Sequence, residues 1–249
     1  MRTPYLFIPC IVDQLYPATG IAAVKLLRML DCDPQYDPQQ TCCGQPAFNA
    51  GYHDDAGIVA ERFMHLLKSV DEIVSLSGSC ATMIKIFYPQ MNFPPEVQNL
   101  AREISSKTYE ITDYIVNQLG ITDLGLTYSG RIAYHDSCHI MRELRIIDEP
   151  RALLKGVQGL ELVELDLADR CCGFGGLFGI KFPEISVAMG EEKLASIQRA
   201  EVDLVVGCDS SCLMQLQGIA DKRGIKLHTK HIIEFLGDLL PEQETDKVK

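Results

Sequence analysis

No block of Lys and Arg interrupts the 249-residue sequence, and no apolar run approaches the roughly 18 residues needed to cross a bilayer. The formal charge is −11. Binding to nucleic acid or to an acidic membrane surface needs clustered cations against phosphate, so neither is expected. The apolar run within Met1–Cys10 is far too short for a signal peptide and has no cleavage site after it. A cytoplasmic protein, with no direct membrane insertion and no nucleic-acid partner, is the expectation. Also missing are a G-x-G-x-x-G fingerprint and a P-loop, so flavin or NAD binding by this chain alone is not expected. No Ser-His-Asp or nucleophilic Cys-His arrangement can be assigned, which leaves the catalytic residues unknown.

What the sequence does have is ten cysteines in a chain that is 47% hydrophobic, enough for a sizeable core. Cytosolic thiols are kept reduced, so regularly spaced cysteines there point to metal or redox chemistry rather than to a disulfide framework. The spacing repeats. Cys10 is followed after 31 intervening residues by Cys42-Cys43-Gly44, and Cys80 follows Cys43 after 36 intervening residues. Cys138 is followed after 32 intervening residues by Cys171-Cys172-Gly173, and Cys212 follows Cys172 after 39 intervening residues. The stretch Asp71–Cys80 lays over Asp203–Cys212, and Tyr109–Leu119 over Leu227–Leu239. The boundary falls near Thr122–Gly130, where Gly, Thr, Asp and Ser concentrate. The domains expected are 1–125, a first repeat; 126–240, a second; and 241–249, a polar, frayed C-terminal tail.

Each half reads as α/β. Tyr5–Pro9, Glu72–Leu76, Arg131–His135, Leu160–Leu165 and Asp203–Gly207 are short apolar runs, as buried parallel strands are. Between them Ile21–Leu30, Ala56–Leu67 and Glu184–Ile197 carry apolar residues at helical spacing. Further helices are expected over Ala81–Tyr88 and Leu213–Lys222. The fold class is therefore α/β: two pseudo-symmetric repeats, each a small parallel sheet flanked by helices. The cysteines then lie at strand C-terminal ends, where open α/β sheets bind ligands.

Adjacent Cα atoms lie about 3.8 Å apart, below the usual span of roughly 4.4–6.8 Å across a disulfide. Neighbours such as Cys42 and Cys43 are therefore poorly placed to bond each other and well placed to present two thiolates to a metal. The glycine after each pair can take φ > 0 and keeps a side chain out of the way. The start of a helix near Cys80 and Cys212 favours their thiolates. Zinc satisfies four thiolates as well as a cluster does, although only Cys208 and Cys212 form the close hook common in zinc sites. Spacing alone leaves both open.

The double pattern of Cys, about thirty residues, Cys-Cys-Gly, then a closing Cys group resembles the cysteine-rich CCG domain family. That domain occurs twice in one component of heterodisulfide reductase and in the iron–sulfur component of glycolate oxidase. Cys42-Cys43-Gly44-Gln45-Pro46, Ser77-Gly78-Ser79-Cys80 and Tyr134-His135-Asp136-Ser137-Cys138-His139 look most like the lactate-utilisation branch of the family. So does the absence of a ferredoxin-like C-x-x-C-x-x-C segment. The resemblance implies an iron–sulfur-binding subunit of a multi-protein complex oxidising L-lactate to pyruvate. Its partners would be a ferredoxin-like iron–sulfur protein and a third subunit. Related 2-hydroxy-acid, glycerol-3-phosphate or disulfide oxidoreductases are the alternative within the class, and a zinc-binding scaffold without redox role is the alternative outside it.

Carried over by position, Cys138, Cys171, Cys172, Cys208 and Cys212 hold a [4Fe–4S]-type cluster, cubane or noncubane, in the second half. Cys10, Cys42, Cys43 and Cys80 hold a cluster or zinc in the first. The first half departs from the family pattern, since Leu76 stands where the second has Cys208. Cys32 has no counterpart and reads as a buried or semi-buried thiol. His135 and His139 flank Cys138 and are candidates to donate to a cluster sulfur, replace a ligand or move a proton; ordinary loop roles serve equally well. His228 and His231 read as a strand end and helix cap around Thr229. Arg2, Arg28, Arg142 and Arg145 are candidate partners for a carboxylate substrate.

Overall fold

The computed structural model describes residues 1–241. The expected tail beyond Pro241 lies outside the described residues. Strands β1 (Tyr5–Phe7), β2 (Ile73–Ser75) and β3 (Thr108–Glu110) form a parallel sheet in the order β1-β2-β3. Strands β4 (Thr127–His135), β5 (Gln158–Val163), β6 (Leu204–Gly207) and β7 (Thr229–His231) form a second, in the order β5-β4-β6-β7. Every pairing is parallel. Phe7 pairs with Ser75 as His135 pairs with Gly207, which sets β1 over β4 and β2 over β6. Even β5 has a remnant in the first half, where isolated parallel bridges tie Arg2 to Cys32 and Tyr5 to Gln35.

The α/β architecture with two repeated parallel sheets matches the expectation, and the five anticipated strands are present with ends shifted by a few residues. The helices expected around Ile21–Leu30, Ala56–Leu67 and Glu184–Ile197 run Pro17–Met29, His53–Leu67 and Pro183–Ala200. The short strand β3 was not anticipated, because three residues are too few for an alternation to register, while β7 runs over Thr229–His231 where a strand end was expected near His228. The stretch expected as one helix over Ala81–Tyr88 is composite. An α-turn at Gly78–Thr82 passes into a π-helix at Met83–Phe87 and a 3₁₀ turn at Tyr88–Gln90.

Alternation along the strands sorts side chains into separate cores. Leu6, Val74 and Leu76 from the first sheet, with Ile132, Tyr134, Val206 and Cys208 from the second, join one core shared by both halves. The opposite faces look into private cores. Phe7 and Ile73 meet Cys43, Cys80 and Phe63 in the first half. Ala133 and Val205 meet Cys172, Cys212 and Leu194 in the second. Each cysteine set therefore lies on the outer face of its own sheet, and the shared core holds the halves together. No helix among the described residues is long and apolar enough to cross a membrane.

Candidate metal centres

In each half the strand-to-helix turns deliver one thiol apiece, and the Cys-Cys-Gly loop delivers two. Cys10 opens the helix Cys10–Leu15 after β1, and Cys138 opens the helical turn after β4. Cys80 lies in the first turn of Gly78–Thr82, and Cys212 in that of Ser210–Arg223. The four sulfurs of the first half stand in a row, Cys10 beside Cys42, Cys42 beside Cys43, and Cys43 beside Cys80. The last step is an Sγ–Sγ distance of 3.3 Å. The second half repeats the row as Cys138, Cys171, Cys172 and Cys212. All ten cysteines are free thiols. Cys10 is exposed and Cys42 half-buried, while Cys43 and Cys80 are buried, so each row descends from solvent into its core.

The glycine of each triplet has a geometric task. Gly44 at φ +84° and Gly173 at φ +86° turn the chain so that their own N–H groups face back to Cys42 Sγ and Cys171 Sγ, each at 3.4 Å. A Cβ on Gly173 would lie 2.3 Å from the Ser186 carbonyl oxygen, so the helix Pro183–Ala200 closes on this loop. Donation from the Cys10 and Cys43 thiols, helped by the Gly44 N–H, pulls Cys42 down to about 3. Cys171 is lowered in the same way by Cys138 and Cys172. The outer partners Cys10 and Cys138 are pushed up by the hydrogen bonds they donate. Each row thus gathers its thiols around one stabilised thiolate, and thiolates are the form that binds metal.

Cys208 departs from the expectation. It is two residues beyond Val206 on the same strand face and so points into the shared core, away from the face of Val205 and Cys212. Its sulfur receives the Tyr134 hydroxyl at 3.2 Å and lies by Glu110 and Thr112. Burial pushes its thiol well up. The second row is therefore four thiols, matching the first, and Cys208 answers to Leu76 in packing as it does in sequence. Cys32 is buried in the shared core, in line with its reading as a packed thiol.

The second row has an extra donor. His135 is 1% exposed, and a ring nitrogen lies with the Cys172 and Cys212 sulfurs in a group spanning no more than 4.8 Å. Neither ring nitrogen has a hydrogen-bond partner. Burial, reinforced by Lys193, lowers its pKa to about 3, so the ring is neutral and free to donate or ligate. His139 sits at the rim, with Nδ1 3.8 Å from Cys138 Sγ and its other nitrogen 3.4 Å from Gln45 Nε2. His228 is exposed, whereas His231 is buried and caps the helix Ile232–Asp238 by accepting from the Ile233 N–H at 3.2 Å. The cap is therefore His231, not Thr229. Of the candidate arginines, Arg2 is paired with Glu72 at 2.6 Å and Arg142 donates to the Asp169 carbonyl at 2.7 Å.

Each half helps build the other's site. A cavity of about 50 Å³ over the first row is walled by Ile11, Gln45 and Ser79 and also by Phe174 and Gly176 from the second half's glycine-rich loop. The buried Asp209 carboxylate takes the Ser79 N–H at 2.9 Å, and the Ser77, Ser137 and Ser211 hydroxyls at 2.8–3.3 Å. Sequence reasoning passed over Asp209 and Lys193. An acidic residue before the closing cysteine, and a lysine inside an apolar helix face, were the available signals.

Comparison with known proteins agrees with this geometry. The model of a cysteine-rich domain, CCG, matches residues 5–85 and again 132–217. Lactate utilization protein A of Geobacillus kaustophilus is 41% identical over 231 residues, 93% of this chain and 97% of that protein. The Macrococcus caseolyticus protein of the same name is 40% identical over 233 residues, 94% of this chain and 95% of its own length. A crystal structure of a hypothetical protein from Helicobacter pylori superposes with a TM-score of 0.69 at 10% identity. It covers 98% of this chain, which spans 50% of that protein's length, and the likeness is one of fold. The chain belongs to the cysteine-rich CCG domain family, carries the domain twice, and falls among the lactate utilization protein A members of that family.

Proposed function

We propose that this chain is an iron–sulfur subunit of a multi-protein system that oxidises L-lactate to pyruvate. The observation that carries the reading is the pair of four-thiol rows on equivalent loops of two repeats. Cys10, Cys42, Cys43 and Cys80 would hold one group, and Cys138, Cys171, Cys172 and Cys212 the other. The donor set fits: four free thiols per site, one already stabilised as thiolate, with backbone N–H groups on the sulfurs. Such clusters, cubane or noncubane, supply one-electron redox chemistry at potentials set by charge, hydrogen bonding and exposure. The chain's own part is to bury Cys43, Cys80, Cys172 and Cys212 away from water while leaving Cys10 and Cys42 near the surface. On this reading residues 1–125 and 126–240 are the two cluster-bearing domains of a cytoplasmic protein. A ferredoxin-like protein and a third subunit exchange electrons with it.

The test is the assembled system, purified without oxygen, given L-lactate and an artificial acceptor. Lactate-dependent reduction should vanish when Cys43→Ser or Cys172→Ser replaces the parent chain, with complex assembly unchanged. Full turnover with both substitutions present would refute a redox role. A second reading is favoured by one observation: His135, Cys172 and Cys212 present their donor atoms within 4.8 Å, a size that suits a single zinc ion. A zinc-stabilised scaffold predicts bound zinc, no visible absorbance and no spin signal on reduction.

A further inference from the structure

The two rows are alike in their sulfurs and unlike in what stands behind them. Phe7 lies three residues before Cys10, at the end of β1, and its ring packs edge-on against Phe63 with centroids 4.9 Å apart. His135 holds the same place before Cys138 at the end of β4, since the strand registers coincide. The helix behind each row is also in register. Gly44 is closed upon by Ala56 and Val59, and Gly173 by Ser186 and Met189, which puts Lys193 at the place of Phe63. A wholly apolar pair behind the first row is thus replaced, behind the second, by a histidine and a lysine.

Both replacements are buried, at 1% and 0% exposure. Lys193 Nζ donates to the Leu167 and Ala168 carbonyl oxygens at 2.6 and 3.1 Å; burial pushes its pKa down, opposed by the nearby Asp136 and Asp169 carboxylates and by any negative charge at Cys172 and Cys212. Placing an ammonium in a core is expensive unless negative charge is near. Packing alone does not call for it here, because phenylalanine fills the equivalent place in the first half. His135 leaves both buried nitrogens without a hydrogen-bond partner, beside the Cys172 and Cys212 sulfurs and open to a group that those sulfurs hold. Nitrogen donors and positive charge beside an anionic group favour its electron-rich state, and the first row has neither.

We propose that His135 and Lys193 make the second row the higher-potential of two redox sites, with Phe7 and Phe63 leaving the first row the lower. The inference rests on the iron–sulfur reading. It assigns to these two side chains the difference between the halves: His135 by presenting a nitrogen to the group held by Cys172 and Cys212, Lys193 by its charge.

The experiment is a potentiometric titration of the intact, anaerobically purified protein, followed by electron paramagnetic resonance with dithionite as reductant. Iron per chain is measured first. Two midpoints are expected, the higher one lost in Cys172→Ser and the lower one lost in Cys43→Ser. His135→Phe and Lys193→Met should each lower the upper midpoint by at least a tenfold change in electron affinity, about 59 mV for one electron, and leave the lower one in place. Phe7→His, the reciprocal change, should raise the lower midpoint. Nitrogen coupling to the upper signal should disappear in His135→Phe. If His135→Phe sheds the second iron group, Lys193→Met and Phe7→His still decide. Iron in both rows with coincident midpoints, or midpoints unmoved by all three substitutions, would overturn this inference and leave the iron–sulfur reading standing. Absence of iron from both rows would overturn the reading itself.

Discussion

The buried carboxylate of Asp209 accepts the Ser79 backbone N–H at 2.9 Å, so a residue of the second half fixes the turn that carries Cys80 in the first. Its counterpart, Ser77, serves its own helix, accepting from the Cys80 N–H at 3.4 Å. The Gly78 N–H adds a bond to the Cys208 carbonyl at 3.2 Å. The halves are thus joined through the very turns that present Cys80 and Cys212. Placement of one thiol row depends on the integrity of the other half.

Asp209→Ala should therefore do damage on both sides of the molecule. It leaves a buried N–H and several hydroxyls unsatisfied, for which about 1–3 kcal/mol of stability is expected. Chemical denaturation measures that loss. Metal content should show that the first row loads less fully, although the substitution lies in the second half. An unchanged first row would contradict the cross-half cap.

Cys208 and Cys212 should behave oppositely. Cys208→Ala removes a sulfur from the shared core and should cost about 1 kcal/mol with metal content unchanged. Cys212→Ser should empty the second row. Loss of metal in Cys208→Ala would restore the five-thiolate arrangement that the strand alternation rejects.

The two triplet glycines should differ in tolerance. Alanine at either position takes a left-handed conformation worth roughly 1–2 kcal/mol of strain. Gly44→Ala adds only a tight approach, 3.2 Å to the Ala56 carbonyl oxygen, whereas Gly173→Ala meets that of Ser186 at 2.3 Å. Gly173→Ala should accordingly melt well below Gly44→Ala in thermal unfolding. Equal melting temperatures would mean that the second loop is looser than its packing indicates.

Glu110 gives a pH signature. Burial raises its carboxyl to about 7, against three hydrogen bonds from Thr112 and Asp113 that favour the charged form. Between pH 4.5 and 7 the folded chain keeps a proton that the unfolded chain releases, so this group makes stability fall as pH rises. The effect should reach about 3 kcal/mol above pH 7. His135 and His231, lowered to about 3 and 4 by burial, act oppositely in an overlapping window. The readout is therefore the difference between Glu110→Gln and the parent, which should widen in favour of Glu110→Gln from pH 5 to pH 8. A constant difference would contradict a buried, protonated Glu110.

The sequence announced the thiol rows because cysteine spacing survives as a linear pattern. The repeat of Cys10, Cys42, Cys43 and Cys80 needed only counting. It misjudged Cys208, since a hook of two cysteines says nothing about which face of a strand each one takes. Val206 and Val205, both apolar, hide the difference between shared and private cores. It missed Lys193 for a related reason: a lysine in a helix reads as solvated until the fold places it behind Cys172. Strand β3 was too short to show a period, and only its pairing with β2 defines it.

The most direct test is metal per chain. Iron, zinc and acid-labile sulfide should be measured on protein purified without oxygen, with Cys42→Ser and Cys171→Ser alongside. Two filled rows predict iron and sulfide in the parent, with each substitution removing its own half's share and sparing the other's. A parent that holds no metal, or whose metal survives both substitutions, would contradict the assignment of these eight thiols as two metal centres.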